Sequence, residues 1–235
     1  MNLVEEFFTG VPKLLSNPQL LLLFVKGCFV TVLISVAAGT LGLIIGTFVA
    51  MIMISEKNKL TAIPKLLCRI YITVIRGTPM MLQLCIMVMC IITIEGFPTI
   101  ITAMLAFGIN SGAYVAENIR AGILSIDQGQ TEAGRALGLS GRTTMYKIVI
   151  PQAIKNVIPA IGNELIALIK ETSIVGCVGS ITDLTRAAEI AQSGQHLSSY
   201  FVPALLAAIF YLGIVYLLTF IIKMIEKRLR ASDKR

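Results

Sequence analysis

Residues 27–54 read GCFVTVLISVAAGTLGLIIGTFVAMIMI, a run without a single charged side chain. It lies within the 29 uncharged positions that separate Lys26 from Glu56. A helix of about 20 apolar residues crosses the hydrocarbon core of a bilayer, so this run is long enough to span a membrane with some tilt. The chain of 235 residues is 56% hydrophobic and 14% charged. Because soluble domains are about one quarter charged, the sequence predicts an all-α integral membrane protein.

Four further apolar stretches follow the first one. They lie at about residues 63–94, 98–124, 156–178 and 200–222. The stretch at 156–178 is the least uniform of them, because it contains Glu164, Lys170 and Glu171. Together with the first run, these stretches predict about five transmembrane helices.

Basic residues are distributed unevenly among the connections between the predicted spans. Fifteen of the 20 lysines and arginines fall on one side, in clusters at residues 57–69, 120–155 and 223–235. Cytoplasmic connections are enriched in lysine and arginine, so this side is predicted to be cytoplasmic. Residues 227–235 are then a cytoplasmic basic tail. Five crossings place the N-terminus outside, where residues 1–19 are expected to form an extracytoplasmic amphipathic segment.

The connection after the third span is too long to be a simple link. It exceeds 30 residues, and its central part at about 125–151 has the pattern of two short helices. Gly138 is suited to end the first helix, and Ser140 or Thr143 to cap the next turn. This elbow either binds a partner protein through an apolar face or packs on its own helices. The residues of that face are Leu137, Leu139, Met145, Ile148 and Val149.

Several residues of the elbow resemble the cytoplasmic signature of ATP-binding-cassette (ABC) importer permeases. They are Glu132-Ala133-Gly134, Gly138 and Ile148-x-Ile150-Pro151. The family signature begins Glu-Ala-Ala and ends Ile-x-Leu-Pro, so this chain departs from it at Gly134 and Ile150. Other stretches are similar to the polar amino acid uptake subfamily, and the resemblance extends over about residues 20–230. They are Arg76-Gly77-Thr78-Pro79, Gly112 to Glu117, Gly162 to Leu165 and Lys170 to Ser173.

This resemblance implies a type I ABC importer permease fold over residues 20–226. It implies a multi-pass protein of the bacterial cytoplasmic (inner) membrane that passes a polar amino acid into the cytoplasm. The implied partners are a second permease copy or a paralogue, two ATPase subunits that hold ATP and Mg, and an extracytoplasmic solute-binding protein. The residues that would couple the chain to the ATPases are Glu132, Ala133, Gly134, Gly138, Leu139, Ile148 and Pro151.

The sequence contains no pattern of an enzyme that handles nucleotides. A phosphate-binding loop requires Gly-x4-Gly-Lys-Ser/Thr, and this string does not occur. Gly42 and Gly46 instead favour a close contact between helices. His196 has no partner with catalytic or metal-ligand spacing, and the five cysteines are single apolar positions. We expect neither a metal nor a cofactor in this chain, and we expect ATP hydrolysis on another subunit.

Polar residues in the predicted spans are candidates for a solute path, because charges at membrane depth normally face a partner or water. Asn110, Tyr114 and Glu117 follow helical spacing on one stripe of the third span. Such groups either bind an α-amino acid or close pairs between helices. An ion-coupled secondary transporter is the alternative function, and a membrane scaffold without transport is a third. The candidate substrate-binding residues are Asn110, Tyr114, Glu117, Glu164, Arg76 and Thr78.

Overall fold

The computed structural model describes residues 3–55, 58–91, 96–178, 181–193 and 200–231. Glu56, His196 and the end of the basic tail at residues 232–235 lie outside the described residues. Within the described ranges the regular elements are all helices. They are α1 (Leu3–Leu15), α2 (Pro18–Ile54), α3 (Lys59–Arg76), α4 (Met80–Ile86) with a π-helical turn (Met87–Ile91), α5 (Thr99–Leu124), α6 (Gln128–Ala136), α7 (Gly141–Thr144) with a π-helical turn (Met145–Val149), α8 (Ile150–Glu171) with a 3₁₀ extension (Thr172–Val178), α9 (Leu184–Ser193) and α10 (Phe201–Ala231).

The predicted class, an all-α integral membrane protein, is confirmed. Among the described residues, α2, α5 and α10 are each long and apolar enough to cross a membrane. Helices α3 and α4 meet at a break and together count as a fourth candidate span. Helix α8 has 22 residues and is about 33 Å long, but it carries four charged side chains and is not among these candidates. These five segments occupy the places of the five predicted spans.

Several helix boundaries differ from the prediction. Helix α2 begins at Pro18, because the Asn17 side chain accepts hydrogen bonds from the amides of Gln19 and Leu20 and caps the helix before the uncharged run begins. Helix α8 begins at Ile150 rather than Asn156. Helix α9 was not predicted, because hydrophobic length identifies only helices that cross the bilayer.

The chain divides into two compact units, each made of three separate segments. The first unit comprises residues 1–38, 79–107 and 166–217, and the second comprises residues 39–78, 108–165 and 218–235. Four long helices, α2, α5, α8 and α10, contribute residues to both units.

The first unit has two apolar clusters. In one of them Phe24 of α2 is completely buried, and its ring stacks on Phe210 of α10 at 6.3 Å between centroids. Leu14 of α1 is buried in the same cluster, so the amphipathic N-terminal helix is anchored by one face. The opposite face exposes Phe8, which is 71% exposed. In the other cluster, Phe107 of α5 packs with apolar residues of α2, α4, α8 and its 3₁₀ extension.

A buried carboxylate organises the start of α9 in the first unit. Asp183 is fully buried, and its two oxygens accept hydrogen bonds from the amides of Thr185 (3.1 Å) and Arg186 (2.9 Å). The Tyr211 hydroxyl of α10 donates to the same carboxylate at 3.4 Å. The Leu184 amide donates to Thr31 Oγ1 of α2 at 3.2 Å. The first amides of α9 are therefore satisfied by side chains.

The second unit is held together by close contacts of glycines with a neighbouring helix. A Cβ atom at Gly42 would lie 2.8 Å from the Ser111 side chain, and one at Gly46 would lie 2.6 Å from Val115. Helices α2 and α5 therefore approach so closely that even a methyl group would collide. This confirms the close helix contact predicted from Gly42 and Gly46.

Candidate functional site

The elbow predicted between the third and fourth spans consists of α6, α7 and the π-helical turn that follows. Helix α6 ends in a Schellman motif, in which the Gly138 amide donates to Arg135 O (2.9 Å) and the Leu139 amide donates to Gly134 O (3.1 Å). Gly138 has φ of +80°, a left-handed conformation that costs little only for glycine. The predicted role of Gly138 as the helix end is confirmed.

Helix α7 starts with the predicted cap. Ser140 Oγ accepts a hydrogen bond from the Thr143 amide at 3.2 Å. Gly134, where this chain departs from the family signature, is buried, and a Cβ there would lie 2.7 Å from Thr144 Cγ2. Thr144 is itself fully buried. The absent methyl group at Gly134 thus permits α6 to pack directly on the end of α7.

The exposed surface of the elbow differs from the predicted apolar face. Leu137 is 81% exposed, as predicted, but Val149 is only 4% exposed and therefore belongs to the core. Tyr146 is 68% exposed and was not among the predicted residues. Its neighbours Met145, Ile148 and Val149 were predicted from their apolar character, and the same reasoning could have included Tyr146. Of the predicted coupling residues, Glu132, Ala133, Gly138 and Pro151 are exposed, Gly134 is buried, and Leu139 and Ile148 are half-buried.

Two side-chain hydrogen bonds start from the first turns of α8 within the second unit. Gln152 of α8 donates to the Gln130 side chain of α6 at 3.2 Å. Asn156 of α8 donates to Ser125 Oγ, just after α5, at 2.9 Å. The first turns of α8 are therefore bonded both to the elbow and to the residue that follows α5.

Two of the predicted substrate-binding residues are brought together at the end of α3. The Arg76 guanidinium lies over the Tyr114 ring of α5, 5.2 Å from its centroid, within the range of a cation–π contact. Arg76 and Thr78 are exposed, and Tyr114 is half-buried. The Thr78 hydroxyl donates to Val74 O at 2.9 Å. The helix break that contains Gly77 and Thr78 is thus exposed in the isolated chain.

The other predicted substrate-binding residues, Glu117, Glu164 and Asn110, lie in different surroundings. Glu117 accepts two hydrogen bonds from Arg120, at 2.9 Å from Nε and 2.5 Å from a terminal nitrogen. Glu164 of α8 accepts a hydrogen bond from Ser111 Oγ of α5 at 3.1 Å. Asn110 is buried, with 3% of its surface exposed. The sequence analysis missed Ser111 and Arg120 as partners of the two acids.

The sequence analysis also missed Asp183. Its carboxyl has a raised pKa because burial removes water from the charged form, an effect that the amides of Arg186 and Thr185 partly offset. An aspartate that directly precedes a short helix is a typical N-cap, so a capping role for Asp183 could have been predicted from its position. The Tyr211 hydroxyl donates to it from 28 residues away, and no local pattern indicates that contact.

Comparisons with known proteins agree with this architecture. Residues 42–231 match the model of the family described as the inner membrane component of binding-protein-dependent transport systems. A putative glutamine transport system permease protein of Rickettsia typhi is 41% identical over 212 residues, which cover 89% of this chain and 94% of that protein. The arginine transport system permease protein ArtQ of Bacillus subtilis is 39% identical, over 88% of this chain and 93% of that protein.

A solved structure shares the fold. The similar chain belongs to a crystal structure of an amino acid ABC transporter with histidines, and it has a TM-score of 0.84 and 38% identity over 92% of this chain and 98% of that chain. The broken α3–α4 pair, the elbow and the long helices described above therefore form a type I ABC importer permease fold. This chain belongs to the family of inner membrane components of binding-protein-dependent transport systems.

Proposed function

We propose that this chain is the permease subunit of an ATP-driven importer that carries a polar amino acid into the cytoplasm. The names of its glutamine and arginine transport relatives support the solute class. The observation that carries the proposal is the elbow, a compact pair of short helices whose Leu137 and Tyr146 side chains are largely exposed. Exposed apolar side chains on a well-packed element are typical of a docking surface for another protein.

The partners follow from this role. Two ATPase subunits, which would hold ATP and Mg, dock on the cytoplasmic elbow, and a second permease copy or paralogue completes the membrane part. A solute-binding protein delivers the amino acid from outside. The distribution of basic residues supports a cytoplasmic C-terminus and an outer N-terminus.

The solute path is proposed to involve Arg76, Thr78, Asn110, Tyr114, Glu117 and Glu164. The exposed break at Gly77 and Thr78 supports this, because irregular backbone at membrane depth occurs where it is covered by protein or lines a watery cavity. Within the second unit, Gln152 of α8 is bonded to Gln130 of the elbow, and Asn156 of α8 is bonded to Ser125, which follows α5 directly. A movement of the elbow driven by the ATPases would therefore reach the helices that carry Tyr114 and Glu164.

The test is uptake by proteoliposomes that contain the complex of permease, ATPase and binding protein. We expect accumulation of a labelled polar amino acid that requires ATP in the compartment of the ATPase subunits and persists when proton and sodium gradients are collapsed. Uptake that follows an ion gradient and ignores ATP would establish the secondary-transport alternative instead. If the assembled complex carries no amino acid across the membrane under either condition, the proposed transport function is wrong.

A further inference from the structure

We propose that a cavity in the first unit binds a phospholipid with an anionic headgroup, and that Lys26 holds its phosphate. The cavity has a volume of about 550 Å³ and is lined by Leu23, Lys26 and Val30 of α2, by residues 98–100 at the start of α5 and by residues 181–182 before α9. All of them belong to the first unit. Small-molecule sites typically have about 300–1,000 Å³, so the cavity can receive a headgroup and the first part of an acyl chain. This site goes beyond the proposed transport function.

Most of the cavity lining is apolar. Ile181 is buried, and Val30 and Ile100 pack beside it at the edge of the apolar cluster that contains Phe107. Leu23 packs against the other apolar cluster of this unit. Apolar surface that water leaves on binding stabilises a complex with a hydrocarbon chain but gives nothing to a small inorganic anion. The lining therefore suits a lipid better than a free ion.

The polar part of the lining suits an anion. Lys26 is exposed, and it forms no hydrogen bond or ion pair with the residues that the structure describes. Acidic side chains are absent from the described lining. Thr99 and Thr182 also line the cavity, and a threonine hydroxyl can donate a hydrogen bond to a phosphate oxygen. A lysine without a counter-charge beside two hydroxyls complements a phosphate group.

The position of Lys26 on α2 matches the level of lipid headgroups. Helix α2 has 37 residues and is about 55 Å long, whereas the hydrocarbon core of a bilayer is about 30 Å thick. Lys26 directly precedes the uncharged run at residues 27–54, so it lies where the span leaves the hydrocarbon. Leu22 and Phe29, about one turn before and after it on the same face, are 53% and 67% exposed. A charge between exposed apolar side chains at the end of a span matches a phospholipid, which joins a charged head to apolar chains.

The cavity is preformed, because two of the segments that line it are fixed to each other. A Cβ atom at Gly27 would lie only 2.8 Å from the carbonyl oxygen of Asp183. Four residues further along α2, Thr31 accepts the hydrogen bond from the Leu184 amide. These two contacts hold residues 181–182 against α2. A lipid that binds there orders little of the protein, which favours affinity.

The test uses the full-length permease in bilayers of phosphatidylglycerol and phosphatidylethanolamine. The chain contains no tryptophan, so Leu22→Trp introduces a single fluorescent reporter one turn from Lys26. Lipids with brominated chains quench tryptophan on contact. We expect brominated phosphatidylglycerol, which is anionic, to quench the reporter with roughly fivefold higher apparent affinity than brominated phosphatidylethanolamine, which has no net charge.

Variants at Lys26 assign this preference to the cavity. Lys26→Gln in the reporter chain should remove the preference for the anionic lipid, whereas Lys26→Arg should retain it. Lys13→Gln is the matched control, because Lys13 is an exposed lysine of α1 that does not line the cavity. It should leave the preference unchanged.

Four outcomes would overturn the proposal. They are equal quenching by the two lipids, an unchanged preference in Lys26→Gln, full relief of quenching by millimolar inorganic phosphate, and loss of solute-binding-protein affinity in Lys26→Gln with the lipid preference intact. The third would assign the cavity to a free anion and the fourth to the binding protein. The comparison of the two lipids needs no variant at Lys26, so it decides even if Lys26→Gln does not fold. ATP-dependent uptake tests the transport function separately.

Discussion

The amide of Leu184, the first residue of α9, donates a hydrogen bond of 3.2 Å to the side-chain oxygen of Thr31, a residue 153 positions earlier in α2. Thr31 and Leu184 are both completely buried. A buried amide without an acceptor costs about 1–3 kcal/mol. The hydroxyl of Thr31 therefore fixes the start of α9 against α2 in the first unit.

We predict that Thr31→Val lowers the stability of the protein by about 1–3 kcal/mol, because valine has the shape of threonine but offers no acceptor to the Leu184 amide. Thermal unfolding of the detergent-solubilised protein measures the change. Thr47→Val is the matched control, because Thr47 lies on the exposed face of the same helix. Equal melting temperatures for both variants would contradict the role of Thr31.

A second prediction concerns pH and Asp183. Burial raises the pKa of this carboxyl in the folded protein, so the folded state binds its proton more readily than the unfolded state does. The contribution of Asp183 to stability is therefore largest at low pH and declines as pH rises from 3.8 through the raised pKa. Asp183→Asn should remove this part of the pH dependence.

The measurement is thermal unfolding between pH 4 and 7 of the unchanged protein and of Asp183→Asn. Glu189→Gln serves as the control, because Glu189 is an exposed acid of the same helix that pairs with Arg186. An unchanged pH profile in Asp183→Asn would show that the carboxyl does not titrate on unfolding.

A third prediction concerns the turn at Gly138. Among the described residues other than its two chain neighbours, none has an atom within 4 Å of a Cβ placed at Gly138, so the effect of a substitution there comes from the backbone. Gly138→Val should reduce the stability of the turn by about 1–2 kcal/mol, because a branched residue disfavours φ of +80°. Asparagine tolerates this conformation, so Gly138→Asn should cost less. The readout is the amount of ATPase that co-purifies with the permease, and equal losses for the two variants would contradict the prediction.

A fourth prediction concerns Tyr146 in the elbow. Tyr146→Ala should weaken binding of the ATPase subunits roughly tenfold and leave the melting temperature of the isolated permease nearly unchanged, because this side chain is 68% exposed. Tyr216→Ala on α10 is the matched control, since Tyr216 is 71% exposed. If the two variants bind the ATPase equally well, Tyr146 is not part of the docking surface.

Local sequence was sufficient to predict the features that depend on neighbouring residues. The end of α6 at Gly138 and the cap at Ser140 were predicted because both require a particular residue within one helical turn. The Glu117–Arg120 pair has i, i+3 spacing and was accessible to the same reasoning, although it was not predicted.

Contacts between distant residues could not be predicted in this way. The hydrogen bond between Ser111 and Glu164 joins residues 53 positions apart, and its existence depends on how α5 and α8 pack. Burial of Val149 likewise depends on the partner surface and not on its own apolar character. The candidate site was therefore predicted as a set of residue types, whereas the pairing that decides its charge required coordinates.

The tight contact of Gly134 with Thr144 makes α6 and α7 a stiff pair. If the contact between the two helices were loose, a displacement of Leu137 would change the angle between α6 and α7 and would not move both helices together. Buried Thr144 fills the space beside Gly134, so α6 and α7 have little room to shift against each other. Under the proposed function, a displacement of one short helix would therefore carry the other with it.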